Sequence, residues 1–138
     1  MTSARYLLDT NVCIYIRRRR PEAVLNRFRG LRVGEACMSV ITFGELVFGA
    51  NKSDRREQAL VELNEFASMV PIVALPREAA IRYGAVRASL TRAGSIIGNN
   101  DLWIAAHALA SDLIVVTNNV GEFKRVDGLR IEDWTTAG

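Results

Sequence analysis

The sequence predicts a three-layer α/β/α sandwich, with a central parallel sheet of about four or five strands between helical layers. Three observations carry that prediction. Short runs that are apolar throughout, such as RYLLDT (Arg5–Thr10) and LIVVT (Leu113–Thr117), read as strands buried on both faces. Longer stretches with helical periodicity alternate with them, which is the pattern of parallel βαβ units. No repeat, linker or low-complexity tract interrupts the 138 residues, so the chain reads as a single domain over residues 1–138.

The elements follow in order. Arg5–Thr10 is the first strand, and Asn11 is placed to cap a helix from Val12 that the Arg17–Arg20 run and Pro21 bring to an end. Pro21–Phe28 is a second short helix, closed near Gly30. Ala36–Val40 (ACMSV) is the next strand, followed by an apolar helix over Ile41–Ala50 and an amphipathic one over Asp54–Met69. Val70–Leu75 is a third short strand, and Pro76 leads into a helix to about Ala93. GSIIGNN (Gly94–Asn100) is a loop by its Gly and Asn content, Asp101–Ala110 a strongly apolar helix, and Leu113–Thr117 the clearest strand. A turn-rich NNVG comes next. Leu129–Ile131 forms a last edge strand, with Trp134 packing beyond it.

Composition narrows the class. Apolar residues make up 49% and charged residues 24%, which is globular rather than disordered. No apolar run approaches the roughly 18 residues of a membrane span, and the N-terminus lacks a signal peptide's apolar core and cleavage site. Cys13 and Cys37 each lie in apolar runs without metal-type spacing, so they read as small core residues of a cytoplasmic protein. The net charge of +3 is uneven: from Arg17 to Arg32 there are seven arginines and one acid, Glu22. That run, Arg17, Arg18, Arg19 and Arg20 above all, is either a solvated helical face or a set of phosphate contacts.

Asp9 is the one carboxylate in the apolar run YLLDTNVCIYI, and burying a lone carboxylate costs several kcal/mol unless something pairs with it. In an open parallel sheet, ligands bind outside the carboxyl ends of the strands, where Asp9 lies. Glu45 begins the helix after the second strand, and Asp101 begins the helix before LIVVT. These acids are 36 and 56 residues apart in sequence, yet parallel topology brings all three to one rim. Taken singly, each has a structural use. Asp9 suits an Asx-turn, Glu45 closes a capping box with Thr42, and Asp101 favours the positive end of its helix. Taken together, three carboxylates at one rim repel, and the natural compensation is a hard divalent cation. With no Cys or His ligand, that cation is Mg2+ or Mn2+ rather than zinc, and its usual chemistry is phosphoryl transfer. His107 is six residues after Asp101, about 240° around the helix, and reads as a packing or surface histidine.

LLDTN, SVITFGEL, GNNDLWIAAHAL, VVTNN and RIEDW together resemble the PIN domain, and within it the VapC-type toxins of bacterial toxin–antitoxin modules. The resemblance covers almost the whole chain in the same order, and implies a metal-dependent ribonuclease. By that resemblance Asp9, Glu45 and Asp101 fall on the three acidic metal-site positions. Asp9 and Asp101 would hold Mg2+ (Mn2+ as substitute), and Glu45 would orient or deprotonate the attacking water. Thr10, Asn11 and Thr117 would shape the site. The family often carries a T-x-D motif after the penultimate strand. Here the chain reads Thr117-Asn118-Asn119, so an amide stands where a fourth acid is common. Either Glu122 restores the charge, or, the alternative favoured here, the site holds one metal tightly and recruits a second only with substrate. Implied with these are RNA cleavage to a 5′-phosphate and a 3′-hydroxyl, a homodimer, and a VapB-type antitoxin whose tail enters the groove. TNN, EF and the closing IEDW resemble the enterobacterial-type branch, whose targets include the anticodon loop of initiator tRNA. The rival from another class is a catalytically silent module that binds RNA or antitoxin, with Asn119 marking a degraded site. A phospho-acceptor receiver would need an acidic pair where Asp9 stands alone. A dinucleotide enzyme would need a G-x-G-x-x-G after a strand, and none occurs.

Overall fold

The computed structural model describes residues 3–136, and strands and helices alternate through them as the sequence predicts. Strand β1 (Tyr6–Leu8) is followed by α1 (Thr10–Arg18) and α2 (Glu22–Arg29), then by β2 (Ala36–Ser39), α3 (Val40–Asn51) and α4 (Arg56–Met69). Strand β3 (Ile72–Val73) precedes α5 (Arg77–Ala93) and α6 (Asn99–Ser111). Strand β4 (Ile114–Val116), the single turn α7 (Val120–Phe123) and β5 (Ile131–Glu132) complete the order. All five strands pair in parallel, in the order β3-β2-β1-β4-β5.

That order fixes where a ligand binds. The chain fills one half of the sheet outward from β1, then returns past it to start β4. The direction of winding therefore reverses between β1 and β4. At such a switch point the adjoining loops diverge and leave a crevice outside the carboxyl ends of the strands.

Strand residues alternate between two cores, one on each sheet face. Tyr6, Leu8 and Val116 pack with Val12, Ile16, Leu46, Leu63, Phe66 and Trp134. Leu7 and Val115 pack on the other face with Leu90, Ile97, Leu102, Ala105 and Phe123. Leu7 and Leu8 are fully buried, so truncating either to alanine costs about 2–5 kcal/mol. Cys13 and Cys37 are buried free thiols, and burial pushes the Cys37 thiol up to about 11, consistent with packing use. Among the described residues no helix is long and apolar enough to cross a membrane.

The strands are shorter than the apolar runs suggest, for local reasons. Asp9 leaves β1 to cap α1, although its N–H still donates to Val116 O at 3.0 Å. Val70 closes α4, and Pro71 has no N–H to give, so β3 shrinks to two residues. Two caps also differ from expectation. Asp9, not Asn11, caps α1 through the Val12 N–H, and Ser39, not Thr42, caps α3 through the Ile41 N–H. NNVG, read as a turn, contains the start of α7, and the edge strand falls at Ile131–Glu132 rather than Leu129–Ile131.

Candidate active site

Asp9 and Thr117 end the two strands that flank the switch point. Asp9 is buried, with 5% exposure, and each of its oxygens is occupied. Oδ1 accepts from the Val12 N–H at 2.9 Å, and Oδ2 accepts from the Thr117 hydroxyl at 2.5 Å. The Thr117 hydroxyl in turn accepts from the Asn119 N–H at 2.9 Å. Asp9 is thus a helix cap and a rim carboxylate at once. Burial raises its pKa, the Thr117 and Val12 donors pull it down, and Glu45 and Asp133 push it up again, leaving it above the ordinary value.

Glu45 does not close a capping box. It lies in the second turn of α3, because the helix starts at Val40, and it reaches across to α1, where Thr10 Oγ1 donates to Glu45 Oε1 at 2.7 Å. Thr10 begins α1 directly after Asp9, so one turn of chain holds both carboxylates.

Across the crevice, Asp101 lies in the first turn of α6, whose cap residue Gly98 has no side chain to offer. A helix N-terminus stabilises the charged carboxylate by roughly 0.3–1 kcal/mol and so lowers its pKa. Here the opposite prevails, and Asp101 is pushed up to about 7. Burial is the largest cause, followed by a shared hydrogen bond with Glu122 and by repulsion from Glu122, Asp9 and Glu45. Glu122 moves down, held by the Asp101 bond, by the Gly98 N–H at 3.0 Å and by Asn119. The Asn119 amide spans the pair, donating to Asp101 Oδ2 at 3.4 Å and also to Glu122 Oε2. Asn119 and Glu122 therefore both stand beside Asp101.

Other residues are placed differently. Asn11 is exposed on the first turn of α1. The four arginines do not form one strip. Arg17 lies 5.9 Å over the Phe66 ring, Arg19 ends α1 in a left-handed conformation with φ 59°, and Arg20 follows it, exposed. Arg18 alone of the four borders the wide groove of about 910 Å3 that also touches Thr10, Glu45, Phe48, Lys52 and Asn100. His107 is fully buried, 2.9 Å from Ser39 Oγ, as a packing residue would be. Asp133 was not among the sequence candidates, yet it follows β5 and raises the Asp9 pKa. The strand-end rule that singled out Asp9 applies to it equally. Its Oδ1 is taken by the Thr135 N–H and hydroxyl, at 2.9 and 2.5 Å.

Among the described residues no Lys or Arg forms an ion pair with Asp9, Glu45, Asp101 or Glu122. Nor do any three acids, His or Cys already converge as a closed metal cage. A donor set made wholly of oxygens, with one carboxyl held toward its protonated form by burial and by its acidic neighbours, suits a hard divalent cation. Mg2+ keeps several waters and needs only one or two carboxylates, so an open arrangement fits it.

Topology and rim define a known class: the PIN domain family model matches residues 6–129. The chain is 42% identical to Ribonuclease VapC2 of Haemophilus influenzae over 130 residues, covering 94% of this chain and 98% of that protein. It is likewise 42% identical over 131 residues to the tRNA(fMet)-specific endonuclease VapC of Shigella flexneri, covering 95% and 98%. The crystal structure of DNA-bound VapBC from Salmonella typhimurium superposes with a TM-score of 0.88 at 42% identity, over 95% of this chain and 98% of that one. The chain belongs to the VapC family of PIN-domain proteins.

Proposed function

We propose that the chain is the toxin of a type II toxin–antitoxin pair, an endoribonuclease that hydrolyses RNA at the rim formed by Asp9, Glu45 and Asp101. The observation that carries this reading is the pairing of Asp101 with Glu122 opposite Asp9, a set of acids without a protein cation, at the switch point of a parallel sheet. Asp9 and Asp101 would hold a divalent cation, Mg2+ or Mn2+, with Glu122 beside them. Such a cation lowers the pKa of water and neutralises charge developing on the phosphate. Glu45, oriented through Oε1 by Thr10, keeps Oε2 to take the proton of the attacking water. Water oxygen bonds to phosphorus as the P–O3′ bond breaks; the departing O3′ takes a proton from solvent to become the 3′-hydroxyl, and the other strand end keeps the 5′-phosphate. Thr117 keeps Asp9 aimed at the crevice, and Asn119 fixes the Asp101–Glu122 spacing.

The Shigella relative bears the name of a tRNA(fMet)-specific enzyme, and we extend that substrate to this chain: the anticodon loop of initiator tRNA, whose unstacked nucleotides splay into a recessed site. The Salmonella relative was solved with its VapB partner. A VapB-type antitoxin would lie along the groove beside Glu45, where Val40 and Phe48 are 42% and 64% exposed, and would place an arginine against the acids. The protein acts in the cytoplasm as a homodimer.

The test is cleavage of total cellular RNA by purified, antitoxin-free protein in Mg2+, Mn2+ or EDTA, with Asp9→Asn and Asp101→Asn alongside. Discrete fragments that need metal and vanish in both folded variants are expected, and their ends name the target. RNA or antitoxin binding without any cutting would leave a silent binding module instead. Equal cutting by the variants would remove the rim from the reaction.

A further inference from the structure

The loop between α5 and α6 encloses a cavity that the acidic rim does not use. It measures about 270 Å3 and is lined by Arg87, Leu90, Thr91, Ile96, Ile97, Asn99 and Leu102. Ile97 is buried, whereas Ile96 is 65% exposed at the lip. The walls are held in place. Arg125 Nη1 donates to Ile96 O at 2.9 Å, the Ser95 N–H donates to Leu90 O at 2.9 Å, and the Gly98 N–H is fixed by Glu122. The cavity is therefore preformed, and its Asn99 wall is two residues from Asp101.

Its polar groups are aligned too. The Tyr83 hydroxyl accepts from Arg87 Nη1 at 2.7 Å and donates to Asn99 Oδ1 at 2.6 Å, while the Tyr83 ring stacks on Trp103 at 3.8 Å and 13°. With the Asn99 carbonyl spent on Tyr83, the lining side chains offer the Asn99 amide N–H and the remaining Arg87 N–H groups. Donors therefore predominate on this side, the remaining acceptors being the second lone pair of Asn99 Oδ1 and the Thr91 hydroxyl oxygen, whose own proton goes to Arg87 O at 2.7 Å. A small cavity with aliphatic walls and donors at one side fits a single flat ring with an acceptor edge, and is undersized for a drug-sized ligand. Of the nucleobases, guanine presents two adjacent acceptors, O6 and N7, that match a guanidinium fork.

We propose that this cavity is a base-recognition subsite that receives one unstacked guanine of the RNA strand being cut. The inference rests on the reading of the rim as an RNA-cleaving site and adds to it a determinant of sequence preference. Arg87 and Asn99 read the base edge, Ile96 closes over its face, and the start of α6 sets its distance from the scissile phosphate.

Two measurements keep the two readings apart. In EDTA, guanosine, adenosine, cytidine and uridine 5′-monophosphates are titrated into the protein while the Ile96 methyl and Trp103 indole NMR signals are followed. Guanosine monophosphate is expected to shift both and to bind about tenfold more tightly than the others, with the shifts lost in Arg87→Lys and in Ile96→Trp. In Mg2+, short RNA strands carrying a single guanine at successive positions are then cut. One position should be preferred by about tenfold, and both variants should flatten that preference. An unchanged preference in Arg87→Lys, with no nucleotide shift at Ile96, overturns the subsite and leaves the ribonuclease standing. Guanosine monophosphate binding without cleavage of any strand upholds the cavity as a nucleotide site and removes the RNA-cleaving reading. A change in solution mass in Ile96→Trp without nucleotide shifts assigns the surface to a second copy of the chain and also overturns the subsite.

Discussion

The two banks of the crevice use the same residue type and compensate it in opposite ways. On the β1–α1–α3 bank, Asp9 and Glu45 are satisfied by neutral donors: the Val12 N–H and the Thr117 and Thr10 hydroxyls. On the α6–α7 bank, Asp101 and Glu122 face each other and split apart in affinity for a proton, one up to about 7 and the other down. The first bank is therefore assembled by the fold itself. The second is electrostatically unfinished, and a proton or a cation completes it. The difference separates what a substitution does to stability from what it does to chemistry.

Breaking the first bank has the largest expected effect. Asp9→Ala removes the α1 cap and leaves the buried Thr117 hydroxyl without its acceptor. The expected cost is about 1–3 kcal/mol by urea denaturation, together with at least a hundredfold loss of cleavage, roughly the effect of losing one key charge contact. Asp9→Asn can still accept from Val12, so it should recover part of the stability and none of the activity. Equal stabilities for the two variants would mean that the cap does not hold this bank together.

Thr117→Val sits one step out. It deletes the donor to Asp9 Oδ2 and the acceptor for the Asn119 N–H while keeping the volume. We expect a loss of about 1–2 kcal/mol and about tenfold in cleavage, with Thr117→Ser restoring both. Failure of serine to rescue would make the hydroxyl incidental and the methyl group the reason for threonine here.

The second bank should respond with the opposite sign. Asp101 titrates near 7 in the folded chain against 3.8 ordinarily, so the fold binds the extra proton between those values. The contribution of Asp101 to stability is therefore fully present below about 3.8 and is lost as pH rises toward about 7, offset in part by Glu122, whose lowered pKa acts with the opposite sign. Asp101→Asn removes the charge and should raise stability at pH 8 in EDTA. Because Asp101 is only half-buried, we discount the shift for solvent screening and expect on the order of 1 kcal/mol, a few degrees in Tm. Mg2+ should raise the Tm of the wild type more at pH 8 than at pH 6, and should scarcely move the variant. Thermal unfolding across that grid is the measurement. A Tm for Asp101→Asn below that of the wild type at pH 8 in EDTA would end the idea of an unfinished bank.

The contrast also explains what could be read from the sequence. Alternating apolar runs gave the sheet and its helices because burial on both faces leaves a local mark, and the strand-end rule found Asp9 for the same reason. The partners of the acids left no such mark: Thr117 meets Asp9 across 108 residues and Thr10 meets Glu45 across 35. Local chemistry even pointed elsewhere, since Asn11 and the Thr42–Glu45 box are good caps by composition. The structure gave those caps to Asp9 and Ser39, which directly end the strands before α1 and α3. Asn119 and Glu122 were legible as types but not as a pair, because α7 is a single turn that composition alone reads as a loop. Asp133 went unnoticed because its strand is two residues long.

The smallest effect concerns the arginine run, whose charges the sequence could not tell apart. Only Arg18 shares a groove with Thr10 and Glu45, whereas Arg20 lies beyond the left-handed turn that ends α1. If RNA follows the groove, Arg18 contacts its backbone and Arg20 does not. Each phosphate contact on a single strand contributes about 0.7 to the slope of log affinity against log salt. Arg18→Ala should therefore lower that slope by about 0.7 and weaken binding a few-fold at physiological salt, while Arg20→Ala leaves the slope unchanged. Fluorescence anisotropy in EDTA, where no strand is cut, reads this directly. Equal slopes lost in both variants would show the run acting as a diffuse charge rather than through one position. The first bank would then extend past the end of α1.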